Sequence, residues 1–94
     1  KTMKNINLNK AILTLQKEKE VKDFLTDLCT PSEIKALNER WNVAQLLYKE
    51  QLPYRDIAEK LKTSTTTVTR VARFLTNEPY QGYKRILKRV YSEK

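Results

Sequence analysis

Histidine is absent from this 94-residue chain, and glycine and cysteine occur once each, at Gly82 and Cys29. Each absence removes a class of chemistry. Without histidine and with a single thiol, the usual zinc sites, a Ser-His-Asp triad and a Cys-His pair cannot be assembled. One glycine cannot build a phosphate-cradling loop. The expectation is a protein that is not an enzyme and has neither metal nor cofactor. An unpaired cysteine gives no disulfide framework and suits a reducing cytoplasm. Long apolar runs are missing as well, and the first residues lack the apolar stretch of a signal peptide. A cytoplasmic protein with no membrane partner is expected.

What the chain has in quantity is positive charge. Nineteen Lys and Arg face eleven Asp and Glu, for a net +8. Residues 54 to 94 carry ten basic and four acidic groups, against nine and seven in residues 1 to 53. A basic half-domain fits a polyanion, or else a solvated lysine-rich surface kept soluble by like charge. At this length only roughly 60 to 65% of the unfolded chain's surface can be buried. A second copy would therefore add substantially to stability.

Apolar residues between Ile6 and Leu28 recur mostly at three- and four-residue spacing. They predict one long or two short amphipathic helices, with a break near Lys17 to Glu20. Thr30-Pro31-Ser32-Glu33 is a capping box, with a hydroxyl for the N3 amide, a proline where no donor is needed and a glutamate to reach back. It starts a helix to about Glu50, striped by Ile34, Leu37, Trp41, Ala44 and Leu47, which must stop before Pro53. Ile57, Ala58 and Leu61 fit two helical turns. Ser64 is a good N-cap for a helix over Thr65 to about Thr76, whose Val68, Val71, Ala72 and Leu75 face inward. Asn77 is suited to a left-handed helix end, and a last helix begins near Gly82 with Tyr83, Ile86, Leu87 and Val90 as its apolar side. The fold class is all-α, with five to six helices in one domain over 1–94. Trp41 and Cys29 read as core residues.

The segment Tyr54 to Arg73, YRDIAEKLKTSTTTVTRVAR, carries the function. Two short helices cross steeply when a tight turn joins them and small or apolar side chains fill the crossing, as Ile57, Ala58, Leu61, Val68 and Val71 would do. The outward face of the second helix is then Thr65, Thr66, Thr67, Thr69, Arg70 and Arg73. Hydroxyls and threonine methyls suit phosphates and base edges, and arginines suit guanine or phosphate. No acidic residue occurs from Lys60 to Asn77. A plain helical hairpin would give no reason for threonine, a poor interior helix former, at four of the first five helical positions. Lys62 falls where a helix-turn-helix commonly has glycine in a left-handed conformation. A lysine there costs on the order of 1 kcal/mol, and its charge is placed for a phosphate. The DNA-binding set is Arg55, Lys62, Ser64, Thr65, Thr66, Thr67, Thr69, Arg70 and Arg73.

From about Leu25 to Lys88 the chain resembles the Trp repressor family: the Thr-Pro-x-Glu cap, Arg40, the Tyr-Arg-x-Ile-Ala run and the Thr-Val-Thr-Arg segment stand at that family's spacing. The resemblance implies an intertwined homodimer with paired helix-turn-helix units over about 54–76. Dimerisation segments over about 6–50 and 80–92 go with it. It implies a bacterial-type, nucleoid-associated transcription regulator, acting as a repressor on a palindromic double-stranded operator. DNA contacts carry over onto Arg55, Thr65, Thr66, Thr67 and Thr69, with Arg73 close by. Thr30, Arg40 and Arg70 match residues of the family's amino-acid corepressor pocket. Val71 and Phe74, however, stand where the family has glycine and serine. The added bulk predicts that no small-molecule corepressor acts here. Tyr80, Tyr83 and Tyr91 among Lys84, Arg85, Lys88 and Arg89 leave two other readings open, an RNA-binding module and a protein-interaction domain recruiting the transcription machinery.

Overall fold

In the computed structural model, which describes residues 5–92, those residues form six helices and no strand. The helices are α1 (Leu8–Leu13), α2 (Glu18–Leu28), α3 (Pro31–Lys49), α4 (Tyr54–Leu61), α5 (Thr65–Thr76) and α6 (Gly82–Val90). The chain divides into two compact units, Lys1–Ile34 and Lys35–Lys94. Of the expected single domain over 1–94, positions 1–4 and 93–94 lie outside the described residues.

In the first unit the apolar periodicity resolves into two short helices. Asn7 caps α1 by accepting from the Lys10 amide at 2.9 Å, and Thr14 ends it with its hydroxyl on the Ala11 carbonyl at 2.7 Å. The break therefore falls at 14–17, just ahead of the predicted charged run. Neither α1 nor α2 contains a buried residue. Leu8, Ile12, Leu13, Val21 and Leu28 are exposed, Leu13 at 83%, and Cys29 is half-buried rather than enclosed. At the start of α3 the capping box forms reciprocally: the Glu33 amide donates to Thr30 Oγ1 at 3.1 Å and the Thr30 amide to Glu33 Oε1 at 2.8 Å.

The second unit holds the core. Val43 and Ala44 of α3, Ile57 and Ala58 of α4, Val68, Val71 and Leu75 of α5, and Leu87 of α6 form one buried cluster. Trp41, Leu46, Leu47, Leu52, Leu61, Tyr83 and Tyr91 pack around it. The predicted α3 stripe thus holds at Trp41, Ala44 and Leu47 but not at Leu37, and Val43 joins it. Leu37 is 43% exposed while Val43 is fully enclosed, because the core gathers on the C-terminal half of α3. On α6 only Leu87 is buried, and Ile86 and Val90 remain exposed. Behind α6, the Tyr91 hydroxyl donates to Gln45 Oε1, and the Tyr91 ring stacks on Tyr48 with centroids 6.2 Å apart.

The α5 terminus corrects one expectation. Asn77 stays right-handed, at φ −104° and ψ −34°, and the helix closes when the Asn77 and Glu78 amides both donate to the Arg73 carbonyl, at 2.8 and 3.1 Å. The left-handed residue comes later, at Gln81 (φ 66°), which turns the chain into α6. Gly82 beside it has no positive φ and open space around its Cα.

Candidate nucleic-acid interface

The α4–α5 pair is built as its sequence dictates. Lys62 takes the left-handed conformation, φ 56° and ψ 48°, at the end of α4. The Thr63 amide donates to the Ala58 carbonyl at 2.9 Å and the Lys62 amide to the Glu59 carbonyl at 3.3 Å. This double closure is the Schellman arrangement, which satisfies carbonyls the helix end would leave open. Ala58, 7% exposed, lies in the cluster with Val68 and Val71, so the small side chain lets α4 and α5 approach. Ser64 then caps α5, its hydroxyl accepting from the Thr67 amide at 3.0 Å.

A polar tie fixes the turn to α3. The Thr63 hydroxyl donates to Glu39 Oε1 at 3.5 Å, and the other Glu39 oxygen accepts from Lys35 Nζ at 2.8 Å. The Lys35 hydrogen bond holds the Glu39 carboxyl below its ordinary range. Partial burial opposes that shift, and the Lys35 charge and the Thr63 hydroxyl add to it.

Capping and burial leave a defined outer face. Thr65, Thr66, Thr69, Arg70 and Arg73 are exposed on α5. With Phe74, they line an open concavity of about 500 Å³. Thr67 departs from this pattern: it is half-buried, and its hydroxyl lies 3.0 Å from Ser64 Oγ inside the cap. Arg55, Lys62 and Ser64 are exposed on α4 and in the turn, so the expected DNA-binding set gathers on the two helices and their junction.

The arginines on this face are not loose. Arg70 lies over the Phe74 ring at 4.8 Å from its centroid and Arg73 at 5.7 Å. Phe74 in turn stacks on Tyr80 with centroids 6.4 Å apart. Arg73 Nε also pairs with Glu78 Oε2 at 2.7 Å. The Arg70–Phe74 contact was legible in principle, since residues four apart share a helix face. The Arg73–Glu78 pair was not, because its five-residue separation spans the helix end.

The residues of the expected ligand pocket do not all behave as their bulk suggested. Val71 points into the core, 1% exposed, so its side chain adds nothing to a ligand site. Phe74 instead lines, with Trp41, Arg70, Tyr80, Gly82, Tyr83 and Ile86, a second open groove of about 510 Å³. Arg40, half-buried on α3, lies outside that lining. Thr30, in the first unit, uses its hydroxyl in the α3 cap. Two of the three C-terminal tyrosines, Tyr80 and Tyr91, stack on rings of their own chain, and Tyr80 remains 68% exposed. No described helix is long and apolar enough to cross a membrane.

Comparison with known proteins places this architecture. The Trp repressor protein family matches residues 5–91. The uncharacterized protein YerC of Bacillus subtilis is 39% identical over 80 residues, which cover 85% of this chain and 75% of YerC. A Trp operon repressor homolog from Actinobacillus succinogenes is 37% identical over 66% of this chain and 61% of its own. Among solved structures, a TrpR-like protein from Eubacterium eligens superposes with a TM-score of 0.80 at 40% identity, covering 93% of this chain and 88% of that one. A candidate Trp repressor from Staphylococcus aureus gives 0.81 at 38% identity, covering 93% and 85%. With its six helices and its α4–turn–α5 unit, the chain belongs to the Trp repressor family, whose members are DNA-binding regulators of transcription.

Proposed function

We propose that the protein is a sequence-specific, double-stranded DNA-binding repressor that acts as a homodimer on a palindromic operator. The observation that carries this reading is the exposed face of α5, where Thr65, Thr66, Thr69, Arg70 and Arg73 line one concavity. Such a row offers short hydroxyls and methyls to base edges and cations to phosphates. Arg55 and Lys62 flank it as phosphate contacts, and Ser64 and Thr67 set the first turn of α5 through the cap. The helix-turn-helix spans about 54–76, with 6–50 and 80–92 supplying the dimer contacts. The homodimer is supported by α1 and α2, which bury no residue of their own, since a row of exposed leucine, isoleucine and valine is normally covered by a partner. Two recognition helices related by a two-fold axis read half-sites about 34 to 36 Å apart. The regulator works without an amino-acid corepressor: the guanidinium of Arg70, one of the residues that would sandwich such a ligand, already lies over Phe74.

Binding-site selection from random duplexes, with light scattering on the same sample, tests the reading. A dimer and a palindromic site are expected. Thr69→Ala should change the selected site at a cost of about 1 to 3 kcal/mol for a lost base contact. Arg55→Ala should weaken all duplexes and lower the salt slope by about 0.9 per contact. A monomer without duplex preference would overturn the proposal.

A further inference from the structure

The acid-free run from Lys60 ends at Glu78, and that first carboxylate folds back onto the DNA-facing helix. Glu78 Oε2 lies 2.7 Å from Arg73 Nε, with the Glu78 side chain 22% exposed and that of Arg73 66% exposed. The Glu78 backbone is fixed by the same residue, its amide donating to the Arg73 carbonyl at 3.1 Å. Two bonds between one pair of residues hold the carboxylate in place. Arg73 itself borders the concavity of α5 and is flanked by the Phe74 ring. Resting on the DNA-binding reading above, we propose that Glu78 attenuates operator affinity: it is an internal stand-in for phosphate that occupies Arg73 until a correctly placed duplex displaces it.

Glu78 acts differently on the operator and on random DNA. Non-specific binding is set almost wholly by the number of phosphates that cations neutralise, and it varies with salt accordingly. A guanidinium already paired with a carboxylate releases no counterion when a random duplex drifts past. Displacing Glu78 requires a phosphate held in good geometry, and base contacts elsewhere on α5 supply that geometry only at the right sequence. The operator complex therefore bears the full cost of breaking the pair, whereas a random duplex forgoes only the weaker contact that Arg73 would have made, so Glu78 lowers operator affinity more than random affinity. The pair is partly exposed, so its effect is modest. An exposed ion pair changes an equilibrium by up to about fivefold.

The test measures affinity and salt slope of the parent, Glu78→Gln, Arg73→Ala and the double variant, each on a selected site and on a scrambled duplex. Glu78→Gln should bind the selected site up to about fivefold tighter per protomer. Its affinity for scrambled DNA should rise less, with a salt slope steeper by about 0.9 per protomer. In the Arg73→Ala background the same change should have little effect, which separates release of Arg73 from a general gain of removing negative charge. Glu78→Ala serves as a second variant, since α5 closes through backbone bonds that this change leaves intact. Equal tightening in both backgrounds would overturn the proposal, as would a selected-site affinity at the parent value or a larger gain on scrambled DNA. A parent that binds neither duplex at low salt would instead sink the DNA-binding reading itself.

Discussion

Lys62→Gly isolates the left-handed residue of the helix-turn-helix, a conformation against lysine's preference. Lys62 sits at φ 56° and ψ 48°, a conformation in which an L side chain crowds the following carbonyl at about 1 to 2 kcal/mol. Glycine removes that crowding but loses more freedom on folding, a penalty of about 0.5 to 1 kcal/mol. The net gain is about 0.5 to 1 kcal/mol, provided the turn itself survives. It should, because the closing bonds from the Lys62 and Thr63 amides are backbone bonds that either residue can make. For a chain of this size the gain raises the melting temperature by about 2 to 8 °C. Thermal unfolding followed by far-ultraviolet circular dichroism, at one fixed protein concentration, reads this directly. Glu59→Gly is the internal control: it lies in α4 proper and should cost about 0.8 to 1 kcal/mol. If Lys62 is also a phosphate contact, the same variant must lose DNA affinity while it gains stability. A Lys62→Gly protein that melts at or below the parent temperature would refute the strain argument.

Leu87→Ala should cost about 2 to 5 kcal/mol in urea unfolding, because Leu87 is the one buried residue of α6 and its loss leaves a cavity against the core. A loss below 1 kcal/mol would mean that α6 is held by its flanking contacts instead. Millimolar tryptophan should leave operator affinity unchanged and produce no heat of binding, since a ligand shifts an equilibrium only through differential affinity for the competent state. Saturable binding that tightens the DNA complex would show that the groove beside Arg70 and Phe74 accepts it.

Local chemistry written in adjacent residues determined the helices. The Thr30 to Glu33 capping box, the Ser64 cap, the left-handed Lys62 and the stop before Pro53 each depend on residues within a turn of one another, so spacing alone was enough to locate them. The same holds for the outer face of α5: once Val68, Val71, Ala72 and Leu75 are assigned inward, the 3.6-residue period leaves Thr65, Thr66, Thr69, Arg70 and Arg73 outward. Thr67 escaped that logic because its hydroxyl joined the cap. Other features were decided only by tertiary structure. Val71, assigned inward by its spacing, was also expected to crowd a ligand site, and the closing of α3, α4 and α6 around it left it wholly to the core. On α3 the predicted stripe is covered at Trp41, Ala44 and Leu47 and open at Leu37: periodicity defines a face, but the neighbours decide which half of it is covered. Asn77 was capable of a left-handed end, yet the Glu78 amide closed α5 without one and brought its carboxylate to Arg73. That pairing joins residues across a helix terminus, where no sequence period operates, so only the folded chain could reveal it.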